Sequence, residues 1–551
     1  MAEHIDATAR AEALAQGFLA GRIDRRRLLR SAMTLGGAAV AATTLGPLLV
    51  ACGAGGTTAS SGAGGASSAA AGEPVAGGTL TVALTGNPTT MDPASAGVYT
   101  SLQVIDNIFD KLLTMDENGE LVGVLASSWK QDDPKTYTFD LVTTTFHNGE
   151  AFTADDVKYT FERILDPATA SSYASAYAAV DTIEVASPTQ VVFHLKDAYA
   201  PFLTNLAQNG EIVNRKAVEA ADPTRAPVGT GPFTFVEWLD GDHVTLAKNP
   251  NYHQAGKPYL DQITFRFLDV DTSRIESLQS GELDWVDAVP LNQLTTLKAD
   301  PSYTYATSTR AGIPDFLALN TSRAPFDNLA LRQAVAAAVG RPDVLSLAYF
   351  GAGEQGVMEV PSGSEWFGGE PPYSTGPDLE LAKKKMIEAG YPDGLTVTYL
   401  ALPQYPELAK TGVVLRDQLK NIGITVEIEQ LEVTVWFGRY ADADYDMTSA
   451  YWSGTLDPDN FYSTQLVSGS ANNTTKYANP DLDALVTQAA QSSDDAARKE
   501  LYIKIRDIVW EDAPLVFLHY ETINYLMRPD VQGSVVNPLL ELNFKNVWKT
   551  A

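Results

Sequence analysis

Among 551 residues there is one cysteine, Cys52, and there are six histidines. A single thiol excludes an intrachain disulfide, a cysteine-based zinc site and an iron–sulfur cluster. His4, His147, His194, His243, His253 and His519 form no H-E-x-x-H or other close pair, so a zinc hydrolase has no local support and no metal is expected. Positive charge is scarce too: 39 Lys plus Arg stand against 68 Asp plus Glu. The net charge of −29 repels a phosphate backbone, which argues against a nucleic-acid partner. There is no P-loop, no G-x-S-x-G and no repeat of a length that builds solenoids or propellers, and no cofactor is expected. What the chain does have is 45% hydrophobic content, over a length that suits roughly two to four packed units.

The first 51 residues read as a targeting segment. Asp24-Arg25-Arg26-Arg27 precedes a mild apolar run, Ser31 to Val50, too rich in Gly and Pro for a retained membrane span. Arg25 and Arg26 resemble the paired arginines of a twin-arginine export signal. Leu49-Val50-Ala51-Cys52 resembles a lipobox, cut before a cysteine that is then diacylated, and it holds the chain's only thiol. Cleavage there leaves a mature chain of net charge −31, held to the membrane by lipid because an acidic surface gains nothing from anionic headgroups. Residues 52–76, nearly all Gly, Ala, Ser and Thr, form a flexible tether.

The body reads as α/β. Strands are expected at Thr79 to Leu84, Tyr137 to Phe146, Val191 to Leu195, Phe233 to Trp238, Ile263 to Leu268 and Asp315 to Leu319. Thr153-Ala154-Asp155-Asp156 caps a helix that stops at Asp166-Pro167. Leu395 to Leu400, an amphipathic helix from Glu407 to Ile422 and Ile424 to Glu429 make a βαβ unit with parallel strands. Further helices are expected at Leu329 to Val339, Leu379 to Ala389 and Arg498 to Trp510.

Catalytic patterns are thin. Ser127-Ser128-Trp129-Lys130, Lys410-Thr411-Gly412 and Tyr477-Ala478-Asn479 match the elements of penicillin-interacting serine acyltransferases, with Ser127 and Lys130 as nucleophile and base. The order is wrong for that family, and the K-T-G falls in a helix. Asp155-Asp156 and Asp132-Asp133 suit a helix start and a turn. Asp457-Pro458-Asp459 stands near Trp452 and Tyr462, a combination that binding surfaces favour.

One stretch is more specific. Tyr137-Thr138-Phe139-Asp140-Leu141, then Phe146-His147-Asn148-Gly149-Glu150-Ala151-Phe152-Thr153-Ala154-Asp155-Asp156-Val157, then Phe161-Glu162-Arg163, is similar to the signature of family 5 extracellular solute-binding proteins of ABC importers. Val228-Gly229-Thr230-Gly231-Pro232-Phe233, Asn320-Thr321 through Pro325-Phe326-Asp327, Tyr451-Trp452-Ser453-Gly454, Asn479-Pro480-Asp481-Leu482 and Asp512-Ala513-Pro514 continue the resemblance in order.

The resemblance implies a two-lobed, periplasmic-binding-protein-like α/β fold that closes about a hinge, with an extra domain in the first lobe. It implies lobe I from 77–100, 205–305 and 520–551, an inserted domain at 101–204 and lobe III at 306–519. It implies no enzymatic activity: a monomer outside the cytoplasm captures a peptide or other polar organic solute and delivers it to an ABC permease. Tyr451 and Trp452 would wall the ligand. In the family's peptide binders an aspartate three residues past this tryptophan pairs with the ligand's α-ammonium; here that position is Thr455, and Asp457 takes the role if the shorter loop carries it into the same space. The serine acyltransferase and a surface scaffold without a small-molecule site remain the alternatives.

Overall fold

The computed structural model describes residues 73–307, 313–371, 375–453 and 456–550. Cys52, Arg25, Arg26 and Thr455 lie outside the described residues. All described residues belong to one contact unit, Ala71–Ala551.

Two large sheets form two lobes. The first has seven strands in the order Thr304–Thr307, Asn524–Met527, Trp285–Val286, Thr79–Leu84, Gln262–Phe267, His243–Lys248 and Phe233–Leu239. Thr79–Leu84 is parallel to both its neighbours, and its apolar residues Leu80, Val82 and Leu84 join a core with Ile263, Phe265 and Trp285. The second sheet has six strands in the order Glu354–Gln355, Leu515–Glu521, Ile313–Leu319, Met447–Tyr451, Leu395–Ala401 and Ile424–Gln430. Its central strand, Ile313–Leu319, is buried on both faces, as expected for a strand covered by helices on each side. The chain passes between the sheets twice, from Thr307 to Ile313 and from Glu521 to Asn524.

A third sheet is antiparallel throughout: Ala126–Asp133, Thr136–Leu141, Gln190–Leu195 and Val180–Ser187. Its core is aromatic, with Phe193 edge-on to Phe161 and Phe139 at centroid distances of 5.2 and 5.7 Å. The helix Tyr99–Ile108 does not share this core. Val104, Ile105 and Ile108 pack with the seven-stranded sheet, so the expected start of the inserted domain at residue 101 falls too early. Asn107 ties this helix to the C-terminal segment, donating to the Leu542 carbonyl at 2.7 Å and accepting from the Phe544 amide at 2.9 Å.

Local chemistry accounts for most element boundaries. The Asp156 carboxylate accepts the Thr153 amide at 3.0 Å, which closes the start of the helix Ala154–Leu165. Leu395–Ala401 and Ile424–Gln430 pair in parallel across the helix Pro406–Leu419. Gly423 makes the return possible: its φ of +88° is a conformation that other residues adopt at a cost. Two expectations shift. The strand from Tyr137 ends at Leu141, because residues 144–152 fold back through Phe152 N–H to Thr144 O at 3.0 Å and Phe146 N–H to Glu150 O at 2.8 Å. The helix at Arg498 begins earlier, at Asp495, because the Asp494 carboxylate accepts from the amides of Ala496 and Ala497.

The junction of third sheet, first lobe and C-terminal segment is electrostatic. Lys111 is 6% exposed, bonded to Glu541 and 3.9 Å from Glu211. Burial alone would lower its pKa, but attraction from Glu541, Glu211 and Asp106 outweighs this and raises it. Removing the cation strands several carboxylates in a low-dielectric site. Lys111→Met should cost about 3–5 kcal/mol in urea unfolding, whereas a loss under 1 kcal/mol would show these acids protonated and the pair dispensable.

Candidate functional site

Three strands of the second sheet end together beside the two crossings. Asp315 is opposite Tyr451 on one side and His519 on the other, and Ile313 is opposite Glu521. The register shifts between Asp315 and Phe316, a bulge that re-aims side chains at the strand end. The arrangement sets Asp315, His519, Glu521 and Tyr451 at one edge of the lobe.

Asp315 is fully buried, with Oδ2 2.8 Å from His519 Nδ1. His519 Nε2 lies 2.7 Å from the Ala352 carbonyl, which can only accept, so Nε2 carries a proton. One further proton then serves both Nδ1 and Asp315, and the pair is neutral overall whichever of the two holds it. Burial raises the Asp315 pKa well above the usual carboxylate range and lowers that of His519, which favours the carboxylic acid donating to a neutral ring. Tyr349 stacks on His519 at a centroid distance of 3.7 Å. Burial, then repulsion from Asp315, pushes Glu521 up to about 8, with Glu407 adding to the repulsion and His519 opposing it. Tyr451 is 36% exposed, and its ring lies 5.8 Å from that of Tyr405. Trp452 is half-buried, its amide donating to the Pro314 carbonyl at 3.2 Å.

A cavity of about 760 Å³ opens between the lobes next to these groups. The first lobe contributes Leu294, Lys298 and Tyr305; the second contributes Phe350, Glu354 and Glu521. A concave site walled by both lobes is where hinge closure buries a ligand.

Asp457 is elsewhere. It is 2% exposed, and Arg498 Nη2 lies 2.8 Å from each of its oxygens. The Asp459 amide donates to it at 3.0 Å, and the Arg498 guanidinium sits 4.7 Å over the Trp366 ring. The expected ligand role of Asp457 therefore gives way to a structural one, since its charge is already neutralised by Arg498 and its carboxylate is buried away from solvent. Asp459 is equally buried and accepts from Tyr199 of the third-sheet region at 3.2 Å. Burial and the adjacent Asp457 raise its pKa to about 7.

The serine acyltransferase reading fails on geometry. Ser127 and Lys130 are three apart on one strand, hence on opposite faces; Ser127 Oγ donates to the Asp140 carbonyl at 3.1 Å, and Lys130 pairs with Asp132 at 2.7 Å. Lys410-Thr411-Gly412 lies inside the helix Pro406–Leu419, and Asn479 caps another helix. Among the described residues no group of three His, Cys, Asp or Glu could hold a metal ion.

Residues 120–473, more than half the chain, match the family described as bacterial extracellular solute-binding proteins, family 5, middle. The chain belongs to that family. It is a non-catalytic, extracytoplasmic solute-binding protein of ABC-type transport. The glutathione-binding protein GsiB of Pectobacterium atrosepticum is 26% identical over 484 residues, covering 83% of this chain and 91% of that one. The ABC transporter-associated periplasmic binding protein DppA of Helicobacter pylori, solved with the peptide STSA, superposes with a TM-score of 0.77 at 28% identity, covering 87% of this chain and 99% of its own. AgaA of A. tumefacien R10, solved with agropinic acid, gives 0.76 at 28% identity, covering 86% and 99%.

The sequence reading missed Asp315, His519, Glu521 and Glu407 as a group. A signal existed: Ile313-Pro314-Asp315-Phe316-Leu317-Ala318-Leu319 and Leu515-Val516-Phe517-Leu518-His519-Tyr520 are apolar strands, each interrupted by one titratable residue. Such a residue needs a partner or a function.

Glu521 and Asp459 titrate in the folded body at about 8 and 7, above the roughly 4 of an unfolded carboxylate. Between those limits the native state holds more protons than the unfolded one, so the contribution is full below about pH 4 and is lost as pH rises through the folded values. The unliganded protein should therefore show a Tm that falls from pH 5 to pH 8 in scanning calorimetry. Asp459→Asn should flatten that slope, and a Tm rising over the same range would contradict these assignments.

Proposed function

We propose that the chain is a lipid-anchored monomer that captures a peptide or a related polar organic solute between its two lobes and presents it to an ABC permease. The observation that supports it most is the interlobe cavity of about 760 Å³, lined from both sides and by Glu521 and Asn524 of the crossing strands. Relatives named for glutathione, the peptide STSA and agropinic acid point to the same ligand class. Lobe I comprises 77–100, extended by the helix Tyr99–Ile108, then 205–307 and 524–551, with the inserted domain following that helix and lobe III at 313–521; the expected bounds at 305 and 519 shift because Thr304–Thr307 pairs in the first sheet and Leu515–Glu521 in the second. Tyr451 and Trp452 wall the ligand. Thr455, in the loop after them, offers a hydroxyl and no charge, so it suits a neutral amide or hydroxyl of the ligand. Cys52 carries the lipid, and Arg25 and Arg26 direct export.

A ligand that binds only the folded state raises stability by about 2.7 kcal/mol at a hundred times its Kd. Thermal shift with glutathione, di- to tetrapeptides and agropinic acid should give a saturable rise in Tm for at least one of them, and Trp452→Ala should weaken it at least tenfold. No shift with any of these would count against the peptide class.

Export and anchoring have separate tests. Cys52→Ala should move the exported protein into the soluble fraction; continued membrane association would refute the lipid anchor. Changing Arg25 and Arg26 together to Gln should leave precursor inside the cell, and unchanged export would remove the twin-arginine route.

A further inference from the structure

Glu521 ends the strand Leu515–Glu521 and lines the interlobe cavity three residues before the chain enters the other sheet at Asn524. The charged groups that act on it are Asp315, His519 and Glu407. His519 brings no spare charge: its one shared proton neutralises Asp315 and nothing else. Glu407, in the first turn of the helix Pro406–Leu419, repels both Asp315 and Glu521. Among the described residues neither Glu407 nor Glu521 forms an ion pair. Lys298, on the cavity wall, lies 4.6 Å over the Tyr305 ring, and Lys410 lies 4.4 Å over the Phe350 ring. Glu354, the other acid on the wall, is occupied by Ser362, whose amide and hydroxyl donate to it at 2.5 and 2.6 Å.

A second observation is independent of the charges. Tyr349 and Asp315 are both fully buried and partner one another, with Thr411 a second hydrogen-bond partner of the Tyr349 hydroxyl. The charges that act on Tyr349 are Asp315 and then Glu521, so its hydroxyl is aimed at this cluster. Tyr405 and Tyr451 add aromatic faces near the same acids; Tyr451 feels both Glu521 and Asp315. Carboxylates, a phenol hydroxyl and aromatic faces together are the complement of an organic cation.

We infer that Glu521, backed by Asp315, Glu407 and Tyr349 and flanked by Tyr405 and Tyr451, receives an ammonium or guanidinium group of the ligand. This rests on the interlobe cavity being the ligand site. It moves the recognition of positive charge from the loop position held by Thr455 to the strand at the crossing, so loss of an aspartate at 455 does not make the protein a binder of neutral solutes only. A cation on Glu521 also relieves its repulsion with Glu407, which makes the cationic ligand part of the electrostatic balance of the closed site.

The test uses the purified chain and two peptide pairs in calorimetry: N-acetyl-Ala-Lys-Ala against its norleucine counterpart, and Ala-Ala-Ala against N-acetyl-Ala-Ala-Ala. The cationic member of at least one pair should bind ten times or more tighter. Glu521→Gln should abolish that preference while leaving the neutral member within twofold; Glu407→Gln should reduce it less and serves if the first variant folds poorly. The lysyl ammonium stays charged below about pH 10. Tighter binding of the lysine peptide at pH 8.5 than at pH 6 is therefore expected, because bound cation requires Glu521 ionised, and the dependence should vanish in Glu521→Gln. Equal binding within both pairs, or a preference that survives Glu521→Gln, overturns the inference alone. Failure of all four peptides to bind overturns the peptide reading and this inference with it.

Discussion

The double crossing between the two large sheets is the constraint on which the rest of the molecule hangs. Thr304–Thr307 pairs with Asn524–Met527 in the first lobe, and Ile313–Leu319 pairs with Leu515–Glu521 in the second, so the strands that flank the two passages are joined by hydrogen-bonded ladders at each end. Tyr305 Oη donates to Asn524 Oδ1 at 2.6 Å, fastening one passage to the other on the first-lobe side. Two short neighbouring passages allow the lobes to change their angle while keeping their strands in register. They also fix where a ligand sits, because Glu521 belongs to one lobe's ladder and Asn524 to the other's, and both line the cavity.

Buried charge is used in two ways around this frame. Lys111 with Glu541 and Glu211, and Asp457 with Arg498, are opposite charges that satisfy one another and fasten segments distant in sequence. Such pairs are costly to break and give the lobes definite shapes. At the cleft edge the balance differs: Glu407 and Glu521 are like charges beside an Asp315–His519 pair that is neutral overall. Like charges held close by a rigid sheet keep their protons or wait for a cation, and this distinguishes a binding surface from a structural pair. The same comparison explains why Asp457, the more conspicuous acid in the sequence, is the less available one.

The third sheet touches this system from the other side. Tyr199 donates to Asp459, the Ala200 amide donates to the Ala490 carbonyl at 2.7 Å, and Asn460 donates to Gln208 at 3.2 Å. Asp459 adjoins Asp457, to which its amide donates, so the buried carboxylates of the second lobe are tied to the third-sheet region by these hydrogen bonds.

Much was legible in the sequence because it is written locally. Alternation marks strands such as Thr79–Leu84, a Thr and an Asp three apart mark a helix start, and Gly423 marks a helix end, each through forces acting over a few residues. The family signature and the Tyr451-Trp452 segment are likewise contiguous. The partnership of Asp457 with Arg498, 41 residues on, and of Asp315 with His519, 204 residues on, could not be read in that way. Which carboxylate is neutralised and which is left facing the cleft depends on burial and on cations brought close by sheet register, and a one-residue shift of register would reverse it. The sequence by itself determined the elements, the family and the lack of catalytic machinery; only the tertiary structure decided which acids are structural and which are free to meet a ligand, because the energy of a charge is set by its neighbours in space.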